Sequence, residues 1–172
     1  MVCPSKVLPP VGTDVEHHIK TSGRPIASHF RRLEAEKLAA AKAEFLQLEK
    51  DGIVRRSDSP WSSPLHMVRK ADGSWRPCGD FRHLNMVTAA TPTLSRTCST
   101  LQARQLGALF FEIDLRKGYH QIPVHPADIQ KTVIATPFGS FENLRMLLGL
   151  MNAGAIFQRK VDKVDTEIKT QI

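Results

Sequence analysis

The sequence has 172 residues, 41% hydrophobic and 24% charged, which fits one globular domain and excludes a wholly disordered chain. Lysine and arginine outnumber acidic residues by 24 to 17, and the formal charge of +7 suits a polyanionic partner such as nucleic acid. We expect no membrane segment, because no apolar run approaches the roughly 20 residues of a spanning helix. Three scattered cysteines predict neither a disulfide framework nor a zinc site, and no signal peptide is evident, so an intracellular location is expected.

The first half of the chain predicts a leader, a helix and a hairpin. Proline and glycine punctuate residues 1–30, which is typical of a leader or linker. From Leu33 to Lys50 the sequence predicts a helix that ends at Asp51-Gly52, with one apolar stripe formed by Leu38, Ala41, Phe45 and Leu48. An Asp-Gly pair at residues 72–73 separates two short extended runs and predicts a β-hairpin with basic residues beside its tip. Pro77 predicts that the second strand lies at a sheet edge.

The second half predicts a strand, another hairpin and a helix. Residues 86–106 are expected to form a polar connection, and Leu109 to Leu115 a buried strand. A second hairpin is predicted from residues 131–136 and 140–145, with its turn at Pro137 to Gly139. A final helix is predicted from Asn152, as its cap, to Gln171.

Asp114 is the sharpest candidate for chemistry. Its carboxylate follows Phe-Phe-Glu-Ile, and burying it would cost several kcal/mol unless a cation or metal ion compensates. An exposed aspartate at a strand end is the alternative interpretation. The only tyrosine of the chain, Tyr119, follows shortly after it.

This run, Phe111-Glu-Ile-Asp-Leu-Arg-Lys-Gly-Tyr-His-Gln-Ile122, resembles the first catalytic motif of reverse transcriptases from Gypsy-type long-terminal-repeat retrotransposons. Other blocks are similar to that family in the same order and together span residues 15–164. They are the loop at residues 58–64, the fingers block at 68–85, and the stretches 129–132, 136–139 and 149–158. Several blocks in one order are more specific than any single motif.

The resemblance implies a role for Asp114 and for Tyr119, together with a cofactor and partners. Asp114 matches the first metal-binding aspartate, and the implied cofactor is Mg²⁺, with Mn²⁺ as a substitute. Tyr119 matches the residue whose ring blocks a ribose 2′-OH and so selects deoxynucleotides. The implied partners are an RNA or DNA template-primer and deoxynucleoside triphosphates.

The resemblance also implies a set of residues that contact the incoming nucleotide. Arg76 matches a cation that neutralises the triphosphate, together with Arg69 or Lys70, and the sequence leaves the choice between these two open. Gly149 and Gln158 match the region under the nascent base pair.

A third set of residues is implied to support the template. Asp80, Phe81 and Arg82 match a block that supports the fingers and positions the template strand. Plain core packing is the alternative for Phe81, and equally for Trp75 and Phe157.

Departures from the family pattern predict a fragment without activity. After Met146 the family usually carries Pro-Phe-Gly-Leu, whereas this chain has Leu147-Leu148-Gly-Leu. The Tyr/Phe-x-Asp-Asp turn that supplies the other catalytic carboxylates is missing, because the sequence contains no Asp-Asp pair. One carboxylate cannot organise two Mg²⁺ ions. We therefore expect that the chain alone does not bind the metal tightly or synthesise DNA.

The implied fold is α+β: reverse-transcriptase-like fingers, an incomplete antiparallel palm sheet and packed helices. The expected division is a leader at 1–30, truncated fingers and palm at 31–164, and a diverged tail at 165–172. By the resemblance, we also expect the thumb, connection and ribonuclease H regions of the family to be missing. A non-catalytic basic module that binds nucleic acid is the main alternative, and an interaction or structural domain with incidental charge is another. Steep weakening of binding by salt would distinguish the former from the latter.

Overall fold

The structure is a computed structural model that describes residues 15–91 and 117–170. The predicted strand from Leu109 to Leu115 lies outside the described residues, and so does Asp114.

The predicted first helix is confirmed as α1, Ala35–Lys50. Ala41 and Phe45 are its buried residues, as the apolar stripe predicted. Asp51 is the C-cap of the helix, and Gly52 follows with φ of +65°, a left-handed conformation that glycine adopts without a side-chain clash.

Five strands form one sheet in the described part of the chain. They are β1 (Val54–Arg56), β2 (Ser63–Arg69), β3 (Trp75–Gly79), β4 (Ile134–Thr136) and β5 (Gly139–Asn143), in the order β1-β5-β4-β2-β3. The α+β class is confirmed, but the sheet is mixed where an antiparallel one was expected. β2 and β4 pair in parallel, with Ser63 opposite Ile134, because β4 joins β2 after a long connection instead of a tight turn.

Both predicted hairpins are present. β2 and β3 pair antiparallel around the Asp72-Gly73 turn, and β3 lies at the sheet edge as Pro77 predicted. β4 and β5 form the second hairpin, which is shorter than expected because Lys131 and Thr132 belong to a 3-10 turn, Pro126–Thr132. The hydroxyl of Thr132 donates to the carbonyl of Ile129, and this bond holds the end of that turn.

Two further α-helices complete the described fold: α2 (Arg82–Met86) and α3 (Ala153–Thr170). The predicted capping role of Asn152 is wrong. Its φ is +67°, outside the extended region of an N-cap, and its side-chain amide bonds to the backbone of Ala89 and Thr91.

No helix in the described residues is both long and apolar enough to cross a membrane.

Isolated β-bridges attach residues 15–28 to the rest of the described structure. His17 pairs with Val124, Thr21 with Thr88, and Ala27 with Ser62. These bridges extend the described body into the predicted leader, while the division at residue 30 stays a prediction. His17 is completely buried, and burial lowers its pKa to about 4, so that it is neutral at pH 7.

Candidate functional site

The basic tip of the β2–β3 hairpin is exposed. Arg69, Lys70 and Arg76 are all exposed there. The turn is closed by local bonds: the amide of Lys70 donates to the carbonyl of Ser74, and Asp72 accepts from the amide and hydroxyl of Ser74. The bonds from Ser74 hold the pKa of Asp72 below its usual range, so its carboxylate stays ionised in the turn.

The strand register divides the tip cations between two faces. Arg69 stands opposite Trp75, and Val68 stands opposite Arg76. Because side chains alternate along a strand, Arg69 shares a face with Trp75, while Lys70 and Arg76 share the other. The indole of Trp75 donates to Glu36 in the first turn of α1, so the face that carries Arg69 is turned toward α1. By this register Lys70, and not Arg69, shares a face with Arg76.

A pocket of about 310 Å³ brings Arg76 and Tyr119 together. One wall is formed by residues 76–79 of β3, and another by residues 117–120, most of which form a second 3-10 turn, Gly118–Gln121. Leu147 and Leu148, where the family usually carries Pro-Phe, also line it. Of the predicted site residues in the described part of the chain, the structure therefore unites Arg76 and Tyr119 in this pocket.

Tyr119 is fixed by stacking. Its ring lies 4.8 Å from that of Phe157 on α3, with an interplanar angle of 12°. Offset or parallel stacks of this kind contribute about 0.5–1.5 kcal/mol beyond area burial. Phe157 thus acts as packing, as its alternative interpretation held, and it holds Tyr119 against the pocket.

Sequence reasoning missed two residues of this pocket, Lys117 and His120. Lys117 has φ of +50°, a left-handed conformation that a non-glycine residue adopts at a cost of about 1–2 kcal/mol. Its ammonium lies 3.2 Å from the carboxylate of Asp51. His120 is largely buried, and no described residue bonds its Nδ1; burial, aided by Lys117 and Arg145, lowers its pKa. Both residues belong to the sequence motif around Tyr119, and this proximity was the feature of the sequence that could have indicated them.

Asp80 and Arg82, predicted at the template, bond to each other. Arg82 donates from Nε and a terminal nitrogen to both oxygens of Asp80 at 2.7 Å, and Arg31 donates to Asp80 at 2.6 Å. These bonds, chiefly those from Arg82, hold the pKa of Asp80 well below its usual range. Arg31 had no sequence signal, because it lies far from Asp80 along the chain.

Phe81 is part of the core. It is 2% exposed, and its ring occupies the space beside Gly79, where a Cβ would come within 2.5 Å of it. Gly149 lies near the same ring and has φ of +93°. Its carbonyl accepts a hydrogen bond from the side-chain amide of Asn85. Phe81 therefore packs in the core next to the backbone of Gly79 and Gly149.

Gln158 does not line the pocket. Gln158 is exposed on α3 and donates to Asp162 at 3.0 Å. Asp114 lies outside the described residues, and Glu44 is the only acidic residue among the described ones that line the pocket. One carboxylate supplies too few oxygens for two Mg²⁺ ions, so the described lining alone does not fit a two-metal centre.

The sequence comparisons define the class of protein. Residues 68–172 match the family described as reverse transcriptase (RNA-dependent DNA polymerase). The chain is 39% identical over 124 residues to the retrovirus-related Pol polyprotein from transposon opus of Drosophila melanogaster, and 38% identical over 128 residues to that from transposon gypsy. The chain therefore belongs to the reverse transcriptase family. The matches cover 69% and 70% of it but only 12% of each polyprotein, so it corresponds to a fragment of a retrotransposon Pol protein.

The structural comparisons agree on the fold. The foamy viral protease-reverse transcriptase in complex with RNA/DNA hybrid matches with a TM-score of 0.75 at 19% identity, and the match covers 89% of this chain and 21% of that one. The native prototype foamy virus enzyme gives a TM-score of 0.74 at 21% identity, with the same coverage. At this identity the likeness shows the fold alone, and it confirms the predicted fold class.

Proposed function

We propose that this chain supplies the nucleotide-facing part of the fingers in an RNA-directed DNA polymerase, and that alone it binds nucleic acid without copying it. The observation that carries the proposal is the pocket in which the edge strand bearing Arg76 meets the turn bearing Tyr119. In this proposal Arg76 and Lys70 contact the triphosphate of a deoxynucleotide. The sugar would lie against Tyr119.

Charge and burial support this assignment. Phe45, Leu48 and Leu65 give the pocket an apolar floor, while Arg76 and Lys117 place cations at its wall. An apolar pocket with a few convergent polar groups is the usual form of a small-ligand site. A triphosphate carries several negative charges, and arginine and lysine are the side chains that bind phosphate oxygens.

The proposed polymerase chemistry depends on divalent metal ions, for which Mg²⁺ or Mn²⁺ is proposed. Enzymes of this family generally use such ions. We assign Asp114 as a metal ligand and catalytic residue of the intact polymerase. The further carboxylates would have to come from outside this sequence, which contains no Asp-Asp pair.

A binding assay tests the nucleic-acid part of the proposal. Fluorescence anisotropy with a labelled RNA/DNA primer-template should give binding that weakens steeply with salt, with a slope near −0.9 per phosphate neutralised on duplex DNA. Alanine at Arg69, Lys70, Arg76 and Arg82 should reduce both affinity and slope. The matched control replaces four exposed cations elsewhere by alanine, Lys20, Arg24, Lys42 and Arg159. Equal losses in the two variants would refute a specific role for the hairpin.

A primer-extension assay tests the catalytic part. The purified chain should incorporate no deoxynucleotide on a primed RNA template with Mg²⁺ or Mn²⁺. Incorporation that disappears in Asp114→Asn would show that the chain is a complete catalyst and would overturn the proposal.

Sugar selection by Tyr119 can be tested once a polymerase is rebuilt from this chain. The rebuilt polymerase carries the palm strands and thumb of the family after Val164, with Leu147→Pro and Leu148→Phe. Tyr119→Ala should raise ribonucleotide use relative to deoxynucleotide use, whereas Tyr119→Phe should change the ratio little, because the ring is the blocking group. If Tyr119 only packs on Phe157, alanine should lower both activities in proportion.

A non-catalytic nucleic-acid-binding module is the second candidate. The exposed hairpin tip and the net charge of +7 favour it, since phosphate contacts need neither a metal nor an Asp-Asp turn. It predicts the same salt dependence as the polymerase fragment but no change in the ratio of ribonucleotide to deoxynucleotide affinity in Tyr119→Ala. Titration of wild type and Tyr119→Ala with a ribonucleoside triphosphate and with the matching deoxynucleoside triphosphate therefore separates the two candidates.

A further inference from the structure

We propose that Glu16, His18 and His125 form a binding site for a divalent transition-metal ion of the Zn²⁺ class, separate from the polymerase chemistry. One ligand atom from each of the three side chains lies within 4.8 Å of the others. It is the one such group of three His, Cys, Asp or Glu side chains in residues 15–91 and 117–170. None of the three lines the Arg76–Tyr119 pocket.

The backbone brings the two histidines together. His17 and Val124 form a parallel β-bridge, in which the amide of His17 donates to the carbonyl of Pro123 at 2.9 Å. The amide of His125 donates back to the carbonyl of His17 at 3.0 Å. These bonds place His18 and His125 side by side, with ring centroids 4.4 Å apart.

The donor set fits a borderline metal ion better than Mg²⁺. Two imidazoles and one carboxylate are ligands that Zn²⁺ binds at about 2.0–2.2 Å, whereas Mg²⁺ prefers an all-oxygen shell. Two nitrogens on one tetrahedral ion lie about 3.4 Å apart at these bond lengths. Glu16 and His18 are exposed, and so their side chains can rotate to close the remaining distance. Three protein ligands leave one position of a tetrahedral ion to water.

A carboxylate lies near the imidazole of His18. Metal-binding histidines commonly have such a neighbour next to the ring nitrogen that does not bind the metal. Asp128 Oδ2 lies 3.9 Å from His18 Nδ1. Asp128 is itself held by the amide of Ile19 at 2.9 Å and the ammonium of Lys131 at 2.7 Å. A carboxylate that accepts a hydrogen bond from the second ring nitrogen orients a ligating histidine and raises its basicity. At 3.9 Å Asp128 does not make that bond, and a rotation of the exposed His18 side chain would be needed to form it. A metal ion at this site would join residues 16–18 to residues 125–128 and would stabilise the N-terminal segment.

The sequence alone could not indicate this site. His17-His18 has no cysteine or further histidine at ligand spacing, and His125 is distant along the chain. Only the bridge between residues 17 and 124 places the third ligand.

The test uses the full chain without an affinity tag. Titration calorimetry with Zn²⁺ should show one site, and Co²⁺ in its place should give the intense visible absorption of four-coordinate Co²⁺ without a thiolate charge-transfer band. His18→Ala and His125→Ala should each weaken binding by at least about 100-fold, since even outer-shell partners are worth about 10–100-fold. Glu16→Gln should weaken it less. Mg²⁺ should produce no comparable heat.

The control is His29→Ala, which removes an exposed histidine of the same segment outside the cluster. It should bind Zn²⁺ as wild type does. Wild-type affinity in His18→Ala and His125→Ala, or a loss of binding in Cys78→Ser, would overturn the proposal. Because His18 is exposed, its alanine variant should fold, and circular dichroism without metal would verify this.

Discussion

The two ends of the β2–β3 hairpin carry similar residues but hold them differently. At the tip, Lys70 and Arg76 are exposed, and no described carboxylate forms an ion pair with either. At the base, Asp80 accepts bonds from Arg31 and Arg82. A count of cations therefore overstates the charge that the base can offer to a phosphate. Lys70 and Arg76 can contact an anion without breaking an ion pair, whereas Arg31 and Arg82 already contact the carboxylate of Asp80.

The largest expected effect is on the packing at the base. Phe81→Ala should lower the free energy of unfolding by about 3–5 kcal/mol, because Phe81 is fully buried and fills the space beside Gly79. Urea unfolding followed by circular dichroism measures the loss. Phe30→Ala is the control, since Phe30 is 52% exposed, and it should cost less than about 1 kcal/mol. Similar losses in both variants would contradict the assignment of Phe81 to the core.

The next effect concerns the charge at the base. Asp80→Asn should lower the free energy of unfolding by about 1–2 kcal/mol, because it weakens the bonds from two arginines. It should also raise affinity for nucleic acid, since Arg31 and Arg82 are no longer neutralised. Asp58→Asn, at an exposed carboxylate, makes the same change of net charge. If both variants raise affinity equally, net charge alone explains the gain. The ion pairs of Asp80 would then not limit nucleic-acid binding by Arg31 and Arg82.

Local features of the fold could be predicted from the sequence. Helix α1, the Asp72-Gly73 turn and the edge position of β3 depend on residues close together in the chain. The parallel pairing of Ser63 with Ile134 could not be predicted, because no local pattern specifies which distant strand completes a sheet. The same reason explains Asn152: its position before a helix suggested a cap, but Ala89 and Thr91 bond its side chain.

The residues of the candidate site could be predicted only where they lie in motifs that resemble the family. Arg76 and Tyr119 were named from motifs, and the structure brings both to one pocket. The Arg31–Asp80 bond needed the folded chain, because its two residues lie on separate segments. The roles of Asp114, Gly149 and Gln158 stay predictions.

A smaller effect should separate the two faces of the tip. Lys70→Ala and Arg76→Ala should each weaken primer-template binding by about fivefold and reduce the salt slope by about 1, as loss of one phosphate contact predicts. Arg69→Ala removes the same charge from the face shared with Trp75 and should change affinity by less than about twofold. Anisotropy titrations at several salt concentrations measure all three. Equal effects would mean that the tip binds as a diffuse charge and that the register has no influence.

The smallest effect concerns the one pocket residue whose protonation opposes folding. Burial lowers the pKa of His120 in the folded chain, so protonation favours the unfolded state. The contribution of neutral His120 is fully present above pH 6.5 and is lost as the pH falls through the lowered folded value. In metal-free buffer, urea unfolding from pH 8 to pH 5 should show wild type losing more stability than His120→Gln. Every other histidine contributes equally to both proteins, so the difference isolates His120. His29→Gln, at an exposed histidine, should follow the wild-type pH dependence. Parallel curves for wild type and His120→Gln would mean that His120 gains a partner or solvent on protonation, and that the pocket wall is more open than the structure describes.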